Sequence, residues 1–199
     1  MKFTDNQLAA INHKKGNLQL IACAGSGKTE VVARRVANLL KNGLAPRNIV
    51  AFTYTDKAAA ELKERILTRC REELGKVVGL AEMYVGTIHG WCLDLMNTEV
   101  PKYLKFEVLN EIQQILFIDR YSSKSGLTTS TDLRGAPLKR WRDTGVYVSA
   151  ISILREAAIN SRALKGCTVW DGMETYRGLL DERSYLDYSS ILDETEGPG

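Results

Sequence analysis

The feature that most constrains this chain is a glycine-rich segment at residues 22–29, which reads ACAGSGKT. It follows an apolar run at residues 17–22 that predicts a β-strand, and it opens a stretch at about residues 28–42 whose apolar spacing predicts a helix. Glycines in such a turn let consecutive backbone N–H groups point at one anion, and the helix N-terminus adds a partial positive charge. Strand, turn and helix in this order predict a phosphate-binding P-loop.

The side chains of the segment predict how a nucleotide triphosphate is held. Lys28 is expected to reach the β and γ phosphates and Thr29 to ligate Mg²⁺ through its hydroxyl, so these two are the predicted catalytic residues. A strict P-loop has Gly where Ala22 stands, but a small residue fits if its backbone angle is ordinary. A glycine-rich turn without a ligand is the alternative. The predicted ligands are ATP and Mg²⁺, and the nucleotide-binding residues predicted in and beside this segment are Ala24, Gly25, Ser26, Gly27, Lys28, Thr29 and Glu30.

Strand and helix alternate three times in the first half of the chain. This alternation predicts an α/β fold with a parallel sheet and right-handed crossovers, and the glycine-rich segment makes it a P-loop NTPase sheet. After Pro101 the pattern becomes mostly helical, without a convincing strand. We therefore expect an ATP-binding subdomain at residues 1–100 and a helical subdomain at 101–199. The other predicted strands are 49–53 and 83–87, and the other predicted helices are 4–12, 56–74, 89–97, 111–121 and 147–164.

Residues 122–145 are rich in Ser, Thr and Gly and predict a mobile basic loop or insertion. Its cations could bind an anionic backbone, although Asp132 and Asp143 dilute their field, and a solvated surface loop is the simpler interpretation. The basic side chains are Lys124, Arg134, Lys139, Arg140 and Arg142.

Composition excludes some classes of protein. The 199 residues carry a net charge of +3, which permits an anionic partner without predicting one. No apolar run approaches the roughly 20 residues that span a bilayer, and the first residues lack a signal-peptide pattern, so a cytoplasmic protein without a membrane partner is expected. The four cysteines form no C-x-x-C pair, which argues against a zinc site or a disulfide framework.

Four blocks in this order resemble the N-terminal region of the UvrD/Rep family of superfamily 1 DNA helicases, comprising its subdomains 1A and 1B. Residues 3–7 (FTDNQ) resemble the Q motif, 22–29 motif I, 52–59 (FTYTDKAA) motif Ia, and 86–92 (GTIHGWC) motif Ib. Ala in the first position of motif I is familiar in this family. The sequence departs from the family's motifs at four positions. Thr4 and Asp56 stand where Asn is commoner, Ile88 stands where the family has Phe, and Gly90 stands where it has Ser.

The resemblance implies roles for individual residues. Gln7 would recognise the adenine edge, although Thr4-Asp5-Asn6-Gln7 also has the form of a helix capping box. Tyr54 would stack on a DNA base, while Asp56, which repels phosphates, could instead cap a helix. Thr87 could also cap a helix, and His89 could satisfy a core hydrogen bond. The implied DNA-binding residues are Thr53, Tyr54, Lys57, Thr87 and His89.

By the same resemblance the protein is expected to have a RecA-like parallel sheet core and to be the ATP-binding part of an ATP-dependent 3′–5′ helicase. Such enzymes translocate on single-stranded DNA, so single-stranded DNA or a single-strand/duplex junction is the implied partner. The family's motif II has only a poor candidate here, Asp193-Glu194, and motifs II–VI are not matched. We therefore expect the chain alone to lack a full motor and to need the remainder of a longer helicase chain.

Two other functions stay open at this point. A truncated regulatory or interaction protein could bind nucleotide or single-stranded DNA without motor activity. An unrelated P-loop kinase or ATPase would need another carboxylate for Mg²⁺, for which Asp119 and Asp181 are the candidates. Neither of them ends an apolar strand.

Overall fold

The computed structural model describes residues 3–75, 79–157, 164 and 166–196. The chain forms two compact units, Met1–Trp91 and Cys92–Gly199. The boundary between them falls within one helix, Ile88–Glu99. Among the described residues, no helix combines the length and the apolar character that crossing a membrane requires.

Unit 1 is a mixed α/β unit with a small parallel sheet. Strands β1 (Val50–Thr53) and β2 (Tyr84–Thr87) pair in parallel, with Val50 opposite Tyr84 and Thr53 opposite Thr87. Both strands were predicted, and each prediction began one residue before the observed strand. The helices that begin in this unit are α1 (Asp5–Asn12), α2 (Lys28–Lys41), α3 (Asp56–Leu74) and α4 (Ile88–Glu99), and 3₁₀ turns lie at Pro46–Asn48 and Leu80–Glu82.

The ends of these helices follow local rules. The predicted capping box of α1 is present, and Gly43 adopts the left-handed conformation expected after α2, with φ 88°. The core of unit 1 forms where α2 packs against α3 and α3 packs against the sheet. Its buried members are Ala33, Val36, Ala37, Ile49, Leu62, Ile66, Cys70 and Met83.

The predicted strand at residues 17–22 is wrong. The segment has no regular secondary structure and no ladder to either strand of unit 1, and three of its apolar side chains are exposed: Leu18, Leu20 and Ile21. A strand requires a neighbouring strand that completes its backbone hydrogen bonds, and apolar content alone does not provide one.

Unit 2 is mostly helical but contains a short sheet, so the prediction of helices alone is wrong there. Strands β3 (Glu107–Val108) and β4 (Tyr185–Leu186) pair in parallel, and each is too short to give a recognisable pattern. The unit's own helices are α5 (Glu111–Arg120), α6 (Thr144–Glu156), α7 (Thr168–Glu182) and α8 (Tyr188–Glu196), and a 3₁₀ turn lies at Pro101–Lys105. Helix α6 ends before the predicted 164, and part of that prediction, 158–163, lies outside the described residues.

The predicted mobile loop at residues 122–145 is not a surface loop throughout, because part of its first half lies in the core of unit 2. Leu127, Ser125 and Ser130 are fully buried, and Leu127 packs among the apolar residues of α5, α6 and α7. The Tyr147 hydroxyl donates to the Ser125 carbonyl at 2.8 Å. Burial raises the pKa of Tyr147, so this phenol remains a neutral donor. Ser and Thr side chains in this segment bond to nearby backbone groups, and these bonds take the place of the backbone bonds of a helix or sheet.

A buried polar network crosses the core of unit 2. Asp187 accepts hydrogen bonds from Tyr176, Gln114 and Ser190, and Arg155 approaches its two carboxylate oxygens at 2.9 and 3.0 Å. Arg155 also pairs with Asp193 at 2.8 Å. The pairing compensates the cost of burying these charges.

Candidate nucleotide-binding site

The P-loop has the backbone that a phosphate cradle requires. Gly25 and Gly27 have φ of 77° and 81°, a region that residues with side chains rarely adopt, and α2 begins directly after Gly27. The first N–H groups of a helix have no partner within that helix, so those of α2 face the loop as donors. The Ser26 hydroxyl donates to the Cys23 carbonyl at 2.7 Å and closes the turn. Ala24, Gly25, Ser26, Lys28 and Thr29 are exposed.

Lys28 lies over the loop. Its ammonium donates to the carbonyl oxygens of Ala22 and Cys23, at 3.0 and 2.7 Å. These are neutral acceptors, and phosphate oxygens would be stronger ones for the same charge. The position of Lys28 therefore suits a phosphate ligand bound above the loop.

Gln7 joins α1 to the P-loop. Its side-chain oxygen accepts from the Thr4 N–H at 2.9 Å, the Thr4 hydroxyl accepts from the Gln7 N–H at 3.3 Å, and the Gln7 amide nitrogen donates to the Ser26 carbonyl at 3.0 Å. The capping-box interpretation is thus confirmed. One N–H and one oxygen lone pair of the amide remain for a ligand, so the predicted adenine recognition is compatible with the box.

A cavity of about 320 Å³ lies between α1, residues 20–22 and the P-loop. This volume is within the range of small-molecule sites. Polar atoms of Gln7, Ser26 and Lys28 share it with apolar side chains. Its lining residues are Thr4, Asn6, Gln7, Leu20, Ile21, Ala22, Ser26, Lys28 and Val31.

The side chain of Glu30 is directed away from the loop. It is buried in unit 1, and its carboxylate lies 3.0 Å from Arg34 Nε and 2.8 Å from Arg69 Nε. Only its backbone N–H, in the first turn of α2, is placed to serve a phosphate. The predicted contact of Glu30 with a nucleotide therefore stays a prediction, and it applies only to the Glu30 backbone N–H.

Two of the predicted DNA-binding residues lie opposite each other. Thr53 and Thr87 are register partners at the carboxyl ends of β1 and β2, and Tyr54 follows Thr53 with 98% of its surface exposed. Lys57 is exposed in the first turn of α3, and His89 is half-buried in the first turn of α4. The sheet thus brings motifs Ia and Ib to one edge.

The capping alternatives are decided by hydrogen bonds. Thr55, not Asp56, caps α3, because its hydroxyl accepts from the Ala58 N–H at 3.2 Å. Asp56 occupies the first turn of α3, where its negative charge interacts favourably with the positive end of the helix dipole. The Thr87 hydroxyl accepts from the Gly90 N–H at 3.1 Å and so caps α4.

Sequence reasoning missed an aromatic cluster beside this edge. Tyr84, Phe52 and Trp91 pack edge to face, with Tyr84 and Trp91 centroids 5.0 Å apart, and the Tyr84 hydroxyl donates to the Thr87 carbonyl at 3.0 Å. A Cβ on Gly86 would come within 2.4 Å of the Tyr84 hydroxyl oxygen. The spacing of Tyr84 and Gly86 by two residues, which puts them on one face of a strand, was the available signal.

Gly86→Ala is therefore expected to destabilise unit 1. The added methyl group would displace the Tyr84 ring, which is held by Trp91 and Phe52, and would break its bond to Thr87. We expect a loss of about 1–3 kcal/mol in the free energy of unfolding. Urea denaturation measures it, with Gly178→Ala in α7 as the control, since a Cβ there would have no neighbour within 4 Å beyond the adjacent backbone of its own helix. Equal stability of the Gly86→Ala protein and the wild type would contradict the proposed contact.

The carboxylates weighed as metal ligands lie in unit 2. Asp193 and Glu194 lie on α8, not at the end of a strand, where Asp193 pairs with Arg155 and Glu194 accepts from the Tyr103 hydroxyl. Asp119 is buried and binds Thr144, and Asp181 is exposed 3.9 Å from Lys102. These contacts give structural roles to Asp119, Asp193 and Glu194, while Asp181 forms only an exposed ion pair. The described residues contain no cluster of three or more metal-ligating side chains.

Comparisons with known proteins agree with this geometry. A family model described as the UvrD/REP helicase N-terminal domain matches residues 3–195. ATP-dependent DNA helicase PcrA of Bacillus subtilis (strain 168) is 34% identical over 196 residues, covering 95% of this chain and 25% of that protein. ATP-dependent DNA helicase UvrD1 of Mycobacterium leprae (strain TN) is 29% identical over 202 residues, covering 96% and 25%.

A third relative is ATP-dependent DNA helicase Rep of Buchnera aphidicola subsp. Baizongia pistaciae (strain Bp), which is 24% identical over 196 residues, covering 96% of this chain and 28% of that protein. The chain thus spans about a quarter of the length of these relatives. Because the family model covers nearly all of its residues, the chain belongs to the UvrD/Rep helicase family and matches that family's N-terminal domain.

Proposed function

We propose that this chain is the ATP-binding N-terminal region of an ATP-dependent 3′–5′ DNA helicase, with unit 1 built on a RecA-like P-loop NTPase core. The observation that carries the proposal is the link between Gln7 and the P-loop, because one side chain contacts the loop and also borders the cavity beside it. A phosphate cradle with an amide next to it suits a purine nucleotide.

The residues present fit ATP and Mg²⁺. The backbone N–H groups of residues 24–29 and the Lys28 ammonium would hold the phosphates, while the Thr29 hydroxyl would ligate the metal ion. A bound Mg²⁺ neutralises charge on the transferred phosphoryl group. Residues of unit 1 bind and orient the nucleotide. Because a matching motif II carboxylate is not found in the sequence, we expect slow ATP turnover by these 199 residues.

The edge at the carboxyl ends of β1 and β2 supports the proposed binding of single-stranded DNA. Ligands of parallel α/β sheets bind at this end of the strands. Tyr54 offers an exposed ring for a base, and Lys57 offers a cation for a phosphate. The test is a fluorescence anisotropy titration with an oligothymidylate: Tyr54→Ala should weaken binding several-fold, whereas Tyr188→Ala, another exposed tyrosine, should not.

Gln7→Ala tests the nucleotide assignment. We expect it to weaken binding of a fluorescent non-hydrolysable ATP analogue by roughly five- to twentyfold and to reduce the preference for ATP over GTP, since the amide contact with adenine is lost. The measurement is equilibrium titration with Mg²⁺, with GTP as competitor. Lack of binding by the wild-type chain would contradict the proposed function.

Gln113→Ala is the matched control for this prediction. Gln113 forms the same capping box with Asn110 on α5, at 2.9 Å in both directions, but lies in unit 2. It separates the loss of a helix cap from the loss of a ligand contact. If Gln7→Ala lowers ATP and GTP affinity equally, Gln7 positions the loop and does not recognise adenine.

A further inference from the structure

Trp141 is held in an unusual position in unit 2. Its indole is 69% exposed, and its φ of 64° lies in the left-handed region that bulky residues rarely adopt. Only one other described non-glycine residue, Ser184, has a positive φ. A strained backbone persists where surrounding contacts enforce it, and such positions concentrate at functional sites.

A buried carboxylate enforces this backbone conformation. Asp119, on α5, is 1% exposed, and its Oδ1 accepts from the Trp141 N–H at 3.0 Å and from the Thr144 hydroxyl at 2.7 Å. The turn is closed by the Arg142 N–H, which donates to the Arg140 carbonyl at 2.7 Å. The core of unit 2 therefore fixes a turn whose tip is an exposed aromatic ring.

One basic side chain lies over this ring, and further basic residues are close to it in the sequence. The Arg140 guanidinium lies 5.6 Å from the indole centroid. Within the described part of the chain, Arg134, Lys139 and Arg140 form no ion pair, whereas Arg142 pairs with Asp143 at 2.8 Å and lowers the pKa of that carboxyl through its hydrogen bond.

The nearby carboxylate of Asp132 is directed at backbone groups. Its Oδ1 accepts from the N–H groups of Arg134 and Ala136, both at 2.9 Å. The basic side chains around the turn thus outnumber the acidic ones, and three of them remain available for an anionic ligand.

We propose that the turn at residues 139–142, which we name the Trp141 turn, binds single-stranded DNA, with a base stacked on the indole and phosphates contacted by Lys139 and Arg140. Exposed aromatic faces bind unpaired bases of any sequence, and neighbouring cations follow the backbone. Paired bases are already stacked in a duplex and offer only their edges, which favours the single strand. The inference rests on the proposed DNA binding and adds a contact in unit 2 to the edge of unit 1.

Photocrosslinking tests the location. The probe is a 15-residue oligothymidylate with 5-iodouracil at alternate positions, irradiated with the full chain and mapped by mass spectrometry. A crosslink on Trp141 is expected. Crosslinks confined to unit 1 would overturn the inference and leave the proposed function standing, and failure of the wild type to bind the oligonucleotide would overturn both.

Binding by variants tests the contribution. Trp141→Gly removes the ring and suits φ 64°, so the fold is retained, and it should weaken binding of the oligothymidylate by roughly fivefold or more. Trp141→Phe should retain much of the affinity. Trp170→Phe is the control, because Trp170 packs against the core. Equal affinity of Trp141→Gly and wild type would overturn the inference.

Salt dependence tests the phosphate contacts separately. The double variant Lys139→Gln, Arg140→Gln should reduce the slope of log K against log salt by about 1.4, because roughly 0.7 is lost for each phosphate contact to a single strand. A Lys63→Gln, Lys41→Gln protein, with the same change of charge on unit 1, is the control. An unchanged slope for the first variant would overturn the assigned phosphate contacts.

Discussion

Lys28→Ala should weaken binding of the ATP analogue by roughly 30- to 1,000-fold, corresponding to about 2–4 kcal/mol. The ammonium is the one predicted charge contact to the β and γ phosphates, and its present acceptors, two carbonyl oxygens of the P-loop, are neutral. The variant should fold normally, because Lys28 is exposed at the start of α2. Equilibrium titration with Mg²⁺ measures the effect.

Two further variants define what the lysine contributes. Lys63→Ala removes an exposed charge from α3 and should leave the affinity unchanged, which separates a contact at the loop from the net charge of the unit. Lys28→Arg keeps the charge but replaces a compact ammonium with a planar fork, so an intermediate loss is expected. If Lys28→Ala binds the analogue as the wild type does, the P-loop assignment is wrong.

Asp187→Ala is expected to produce the largest loss of stability, about 3–5 kcal/mol in the free energy of unfolding of unit 2. The change leaves the buried Arg155 without its main partner and removes the acceptor of Tyr176, Gln114 and Ser190. Burial raises the pKa of Tyr176, so its phenol stays protonated and needs an acceptor.

Hydrogen exchange followed by mass spectrometry reads the two units separately and can measure this loss. Protection should fall in α6 and α7, while the ATP analogue, bound by unit 1, should keep its affinity. Asp181→Ala is the control, since that exposed carboxylate lies 3.9 Å from Lys102 and such pairs contribute little. Wild-type protection in the Asp187→Ala protein would contradict the assigned network.

A double replacement distinguishes the loss of a partner from the loss of volume. Arg155→Met with Asp187→Leu removes both charges and fills most of the space, so it should be less destabilising than Asp187→Ala alone. If the double variant is as unstable as Asp187→Ala, the loss in the free energy of unfolding comes mainly from the donors Tyr176, Gln114 and Ser190, which lack an acceptor, and not from the unpaired guanidinium.

Features that depend on neighbours in the sequence were predictable. The P-loop, the capping box of Thr4 and Gln7, and the glycine after α2 require only residue types at fixed spacing. The family resemblance rests on such local blocks, and the family comparison confirms it. The strands at residues 50–53 and 84–87 were predictable because they are apolar and bounded by turns.

Features that depend on distant partners were decided by the tertiary structure. The run at 17–22 has strand composition but no ladder within the described residues, whereas the two-residue strands β3 and β4 exist because each supplies the other's hydrogen bonds.

The same rule applies to three other features: the burial of Ser125, Leu127 and Ser130, the pairing of Glu30 with Arg69, and the carboxylate that fixes Trp141. In each case the partner lies far away in the sequence. The sequence alone therefore determined the family and the glycine-rich turn that precedes α2. The tertiary structure decided which polar and aromatic groups are buried, paired or exposed, because desolvation and pairing depend on neighbours in space.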